Sequence, residues 1–537
     1  MMKKVIKKLL AALLAVAMVC AMAIPAFAYD TKEDLDTKHE YDAFQIFKGD
    51  VSDDNTKISH VEWGKNIPHP EDFLPKLRAD STLSSEFANA DSLQKVLDVM
   101  KDWKTSDDNS IAFARFVCNY IYTDANANST PVKQGGHTGG FELDEAGYYL
   151  IVDTSPFSDG DSYHAYNSFL LKVNKAHYHV QITPKVVKPT VEKKVYDNDD
   201  GSSSGDNNGW GSSADHAINE EFKFRLIATL PESENNGRAY DYYNKYTVCF
   251  NDTLSDGITF DKLDTVEIAN VNGGNPQVID AANYTRTPNG SQSFKLSIDN
   301  VKTCAAAAGL NLNEGATITV TYTAHLNEKA YVNIAGGGTD NKNRVYLEYS
   351  NNPRISTSLD HTPESEVCVY TYQLNNTKYR DDDTPGNELA GAGFRLYSDK
   401  ACTEEQEVKL YKEGAFYYPI KDATDKDAVE MMISGQDGQF NVRGLDAGTY
   451  YLKETKTPDD YSACDNKEIV ISATHDVYNV NLSGDSNLNN KIINKKAGGI
   501  TLPSTGGIGT TLFYVVGGGL MVAAIVLLVT KKRMENK

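Results

Sequence analysis

The run Thr317-Ile318-Thr319-Val320-Thr321-Tyr322 alternates polar and apolar residues with a period of two, the signature of a strand with one buried face. Similar alternating runs recur along the chain, separated by turns rich in Gly, Asn and Asp. Thr and Tyr are plentiful, with 31 tyrosines in 537 residues. Short strands punctuated in this way predict a mainly β protein built from sandwich domains.

The chain divides by pattern. Residues 1–28 read as a secretory signal: Lys3, Lys4, Lys7 and Lys8, an apolar core from Leu9 to Ile24, and the cleavage triplet Ala26-Phe27-Ala28. A first domain is expected over 29–184. It opens with a strand at Tyr41–Phe47, then shows helical spacing at Leu93, Val96, Leu97 and Met100 and again at Phe113, Phe116, Val117 and Tyr120. Strands return at Gly147–Val152 and Ser168–Val173, so this domain reads as α+β, with helices inserted into a sandwich. An extended linker, 185–190, carries Lys185 and Lys188 next to prolines 184 and 189, which disfavour helix. A second domain is expected over 191–360 and a third over 366–496, the latter with glycine turns before Gln439-Phe440 and Thr449–Thr455.

The end of the chain, 502–537, has three parts in order. Leu502-Pro503-Ser504-Thr505-Gly506 precedes an apolar run over 512–529, just long enough to cross a bilayer. Lys531, Lys532 and Arg533 then favour retention on the cytoplasmic side. Pro503 stiffens an exposed, extended peptide of the kind a cysteine nucleophile can attack.

A formal net charge of −21 with little basic clustering between the termini argues against nucleic-acid binding. No nucleophile–histidine pair, phosphate loop or metal-ligand spacing stands out, so no enzyme activity, cofactor or metal is expected. Six cysteines remain beyond the signal. Cys402 and Cys464 fall in one domain and are the expected disulfide, with buried free thiols as the alternative.

Behind a signal peptide and ahead of a single span and basic tail, Leu502–Gly506 resembles the cell-wall sorting signal of Gram-positive surface proteins. There a sortase cuts between threonine and glycine and passes the threonyl carbonyl to an amine. With Leu389-Ala390-Gly391-Ala392-Gly393-Phe394-Arg395-Leu396-Tyr397 and Tyr451-Leu452-Lys453-Glu454-Thr455-Lys456-Thr457-Pro458, the chain resembles the major pilins, the backbone subunits of sortase-assembled pili built from Ig-like, Cna-type domains.

That resemblance implies intramolecular isopeptide bonds between a first-strand lysine and a last-strand asparagine, promoted by a buried acid, each releasing one ammonia. It implies Lys378, Glu454 and Asn494 in the third domain. In the second it implies Lys193, Asp252 and Asn343, with Glu221 as the fallback acid. Lys193 is preferred to Lys194 because alternation places it on the face of Val191 and Val195. Lys48, Glu145 and Asn167 follow a similar order in the first domain, but their motifs match poorly and no bond is expected there. The resemblance further implies a polymerising lysine in a Y-P-K-N-like motif. Thr183-Pro184-Lys185-Val186 keeps only its proline and lysine, so Lys185 is expected and Lys188 is the alternative. The implied partners are a class C pilin sortase and a housekeeping sortase, other copies of the chain, minor pilins and peptidoglycan. The competing expectation is a monomeric wall-anchored adhesin or minor pilin.

Overall fold

In the first strand, Glu40–Val51, alternate residues are sorted to opposite faces. Phe44 and Ile46 join the large core with Phe73, Phe113 and Leu150, whereas Tyr41 and Ala43 join a smaller one with Tyr149 and Ile151. A register shift between Gln45 and Phe47 adds Phe47 to the larger core. In this computed structural model the described residues are 39–497, except 53–57, 105–106, 138–140, 156–164, 167, 175–177, 181–186, 198–207, 234–237, 290–292, 334–340 and 484–485, together with 520–522, 524–526, 529 and 531–532.

Strands Ile58–Trp63, Glu40–Val51, Gly147–Asp153 and Ser168–Val173 follow one another across one antiparallel sheet. Four helices, Pro70–Ala79, Ser84–Phe87, Leu93–Met100 and Asp108–Thr123, enter between its second and third strands in sequence. Val96, Leu97 and Met100 are buried as their spacing predicts, and so are Phe113, Val117 and Tyr120. The helix Pro70–Ala79 forms in addition to those the spacing predicts, although it holds Pro75 in its interior.

Two further sheets form the second sandwich. Six strands contain the neighbours Thr190–Tyr196, Glu221–Leu230 and Ala316–Leu326; seven contain the neighbours Val248–Leu254 and Lys342–Ser350. The expected boundary at 360–366 is not where the chain leaves this sandwich. Ser365–Tyr370 pairs antiparallel with Lys342–Val345 and parallel with Ser213–Asp215. The described residues group into two compact units: those up to Thr371 with Lys421–Ala423 and Thr474–Asn481, and Tyr372–Ile420 with Thr424–Ala473 and the described residues from Leu482 onward.

The second unit is again two sheets. One contains Tyr372–Arg380 between Asn441–Leu445 and Asn489–Asn494; the other contains Gly393–Tyr397 paired with Gly448–Lys456. Its first and last strands run parallel, with Lys378 opposite Ile492 and Arg380 opposite Asn494.

Two buried lysine–acid–asparagine clusters

Strand alternation builds the first cluster. Phe250, Asp252 and Leu254 point inward from one strand, and Asn343, Val345, Leu347 and Tyr349 from its neighbour, where Leu254 pairs with Asn343. From the facing sheet come Lys193, opposite Leu226, and Tyr322, opposite Phe224. Lys193 is 2 % exposed, Asp252 1 %, and Asn343 and Tyr322 0 %. The amine of Lys193 donates to Asp252 Oδ1 and lies 3.2 Å from the Tyr322 hydroxyl. That hydroxyl donates to Asp252 Oδ2 at 2.6 Å and accepts from Asn343 Nδ2 at 2.6 Å. Asn343 Oδ1 is buried without a hydrogen-bond partner.

Aromatic rings close the site. Lys193 Nζ lies 5.2 Å from the centre of the Phe224 ring and 5.5 Å from that of Tyr322. Burial pulls the lysine down to about 8, although the Asp252 carboxylate opposes the shift. Burial likewise raises Asp252, outweighing the attraction of Lys193 and the hydrogen bonds from Lys193 and Tyr322. Glu221, the fallback acid, lies exposed in an ion pair with Lys262 and takes no part in the cluster.

The second cluster uses the parallel pairing of first and last strands. Lys378 and Asn494 share a face, diagonally across the strand pair, and Glu454 reaches them from the opposing sheet. Lys378 donates to Asn494 Oδ1 and lies 3.7 Å from Glu454 Oε2. Asn494 Nδ2 donates to Glu454 Oε1 at 2.8 Å, while the Cys464 N–H donates to Glu454 Oε2 at 2.8 Å. Burial lowers the Lys378 pKa, opposed by Cys464 and Glu454. Phe394 lies beneath the amine, 5.4 Å away, and stacks on Phe440. Gly438 has φ +72°, and a Cβ there would meet the Lys378 carbonyl oxygen at 2.5 Å, so glycine lets this turn press against the lysine strand.

The expected disulfide is not formed: Cys402 and Cys464 are both free thiols. Their partners differ. Asn466 Nδ2 donates to Cys402 Sγ at 3.3 Å, whereas Cys464 interacts with Glu454 and Lys378, and burial pushes it up to about 11. In the first unit Lys48 is half-buried and pairs with Glu62 at 3.0 Å, while Glu145 accepts from Gln45; Asn167 lies outside the described residues. So do the signal segment, Lys185 and Leu502–Gly506. Lys188 is described and half-buried. Among the described residues no helix is long and apolar enough to cross a membrane.

Two features were missed in the sequence. Tyr322 was visible there only as the end of an alternating core strand, and Cys464 only as half of an expected bridge. Neither carries a local signal, since each acquires its partners from another sheet or loop. A serine, a histidine and an aspartate also meet in the first unit. Ser155 Oγ donates to Asp153 at 2.5 Å and lies 3.4 Å from His39 Nδ1, which itself contacts Asp153. The aspartate thus holds both side chains, and all three are buried.

Residues 375–486 match the model of a family described as a SpaA, prealbumin-like fold domain, and residues 494–536 match the LPXTG cell wall anchor motif. No curated protein matches the sequence. Among solved structures the chain is similar to the T6 backbone pilin of serotype M6 Streptococcus pyogenes, at 15 % identity over 88 % of this chain and 100 % of that one, with a TM-score of 0.46. It is also similar to the full-length major pilin SpaD from Corynebacterium diphtheriae, at 20 % identity over 70 % and 86 %, with a TM-score of 0.41. BcpA, the major pilin subunit of Bacillus cereus, matches at 16 % over 68 % and 92 %, with a TM-score of 0.38. The anchor motif defines a secreted, cell wall-anchored surface protein. The prealbumin-like SpaA match falls on most of the second unit, up to the strand before Asn489–Asn494.

Proposed function

We propose that the protein is a structural shaft subunit of a covalently polymerised Gram-positive pilus. Thr505 of one copy is joined by a pilin sortase to Lys185 of the next, and Lys193–Asn343 and Lys378–Asn494 isopeptide bonds lock each subunit. The observation that carries this reading is the repeated cluster: two separate sandwiches each bury a lysine, an acid and an asparagine in one hydrogen-bonded group, directly in the second unit and through Tyr322 in the first. Burying such groups is costly unless they are paired or react. The anchor motif and the resemblance of the sorting signal support assembly by sortase.

The chemistry follows from the environment. A neutral lysine amine attacks the asparagine Cγ, the neighbouring carboxyl moves protons, and ammonia departs. Folding supplies the proximity that makes amide exchange feasible. Each bond forms once, so the chain is a product of its own chemistry and not a turnover enzyme.

An immunoblot of boiled wall extracts tests the polymer, comparing wild type with Lys185→Ala. The expected result is a high-mass ladder that collapses to monomer in the variant. A persistent ladder moves the nucleophile to another lysine, with Lys188 tested next. No ladder in a wild-type strain expressing its pilin sortase overturns the shaft reading in favour of a monomeric adhesin.

A further inference from the structure

The two clusters differ in how the acid reaches the asparagine amide. In the second unit Glu454 Oε1 accepts directly from Asn494 Nδ2 at 2.8 Å. In the first, the path from Asp252 to Asn343 Nδ2 runs through the Tyr322 hydroxyl, with 2.6 Å on each side. The same hydroxyl lies 3.2 Å from the attacking amine. Tyr322 therefore touches all three groups that would react.

We propose that Tyr322 is a catalytic residue of the Lys193–Asn343 ligation, relaying a proton from Asp252 to the departing amide nitrogen. The proposal rests on the reading of Lys193 and Asn343 as a bond-forming pair. The step balances as follows. Neutral Lys193 Nζ forms a bond to Asn343 Cγ, and its surplus proton passes to Asp252 Oδ1. The carboxyl proton on Oδ2 moves to the Tyr322 oxygen as the Tyr322 hydroxyl proton moves to Asn343 Nδ2. The Cγ–Nδ2 bond then breaks and ammonia leaves. Asp252 ends as it began, a neutral carboxyl, and Tyr322 ends as a phenol.

The surroundings suit a relay and disfavour a phenolate. Tyr322 is fully buried, and burial beside Asp252 raises its hydroxyl well above the ordinary tyrosine range. A proton must therefore arrive as another departs. The ring is held at 5.3 Å from Phe224, 5.5 Å from Phe260 and 5.3 Å from Phe294, leaving the hydroxyl as the polar end of an aromatic cluster.

Cell-free synthesis of the full-length chain tests this. Samples are quenched in acid at intervals, digested, and searched by mass spectrometry for the Lys193–Asn343 and Lys378–Asn494 linked peptides. In Tyr322→Phe the first link is expected to form about a hundredfold more slowly, while the second forms at the wild-type rate. If the first link appears at the wild-type rate in Tyr322→Phe, the relay is overturned. If wild type never forms it, the underlying reading of that pair falls instead. Should the variant misfold, shown by lost protease resistance, wild type in D2O decides. Two hydrogens in flight through Tyr322 predict a larger slowing at Lys193–Asn343 than at Lys378–Asn494. Equal slowing at both sites sinks the relay.

Discussion

Lys193 and Asp252 are each pushed by burial toward their uncharged forms, yet the pair must keep one proton between them to react. With two protons the amine is an ammonium and cannot attack. With none, the acid has nothing to pass to the leaving nitrogen. The rate of Lys193–Asn343 formation is therefore expected to be bell-shaped in pH, with its upper limb falling above about 8, where the pair loses its shared proton. Following the linked peptide at several pH values in freshly synthesised protein checks this. A rate that keeps climbing through pH 9 and beyond would show that the free amine alone limits the reaction, with no acid required.

At the scale of strands, Ser365–Tyr370 shows how far sequence patterns reach. Val367, Cys368, Val369 and Tyr370 are buried in the sheet that holds Asn343, and only Thr371 separates them from the first strand of the next unit. A polypeptide of residues 29–371 is expected to melt cooperatively, whereas one ending at residue 360 loses this strand. At roughly 1.5–3 kcal/mol per fully buried large side chain, the loss is on the order of 5 kcal/mol, comparable to the whole stability of many domains. Circular dichroism melts of the two fragments distinguish them, and equal midpoints would remove the strand from the account. The boundary was not legible because no Gly-, Pro- or Ser-rich linker marks it; the pairing with Lys342–Val345 is non-local. By contrast, the helices Leu93–Met100 and Asp108–Thr123 were legible from local periodicity, as was the inward face shared by Lys193 and Val195. The candidate lysines, acids and asparagines came from a family resemblance. Their meeting depends on two sheets facing each other, which periodicity does not encode, and Tyr322 was hidden for the same reason.

For the whole molecule, the proposed polymer sets where tension runs. Force entering at Lys185 and leaving at Thr505 follows the chain through the second sandwich and the SpaA-type unit, and leaves the residues before Lys185 off the path. An isopeptide bond from Lys378 to Asn494 would let force bypass the 116 positions that separate them in sequence. At about 3.5 Å per extended residue, the bond hides on the order of 400 Å of chain. Resistance to pulling is governed by unfolding rate, and a bond between first and last strands leaves little chain to release even when the sheets part. Single-molecule pulling between residues 185 and 505 is therefore expected to give no full-length extension from either sandwich in wild type. Lys378→Ala should add one step of about 400 Å, with the contribution of the Lys193–Asn343 sandwich unchanged. If wild type already shows that step, the SpaA-type unit is not covalently closed. Stiffness of the shaft would then have to come from contacts between subunits.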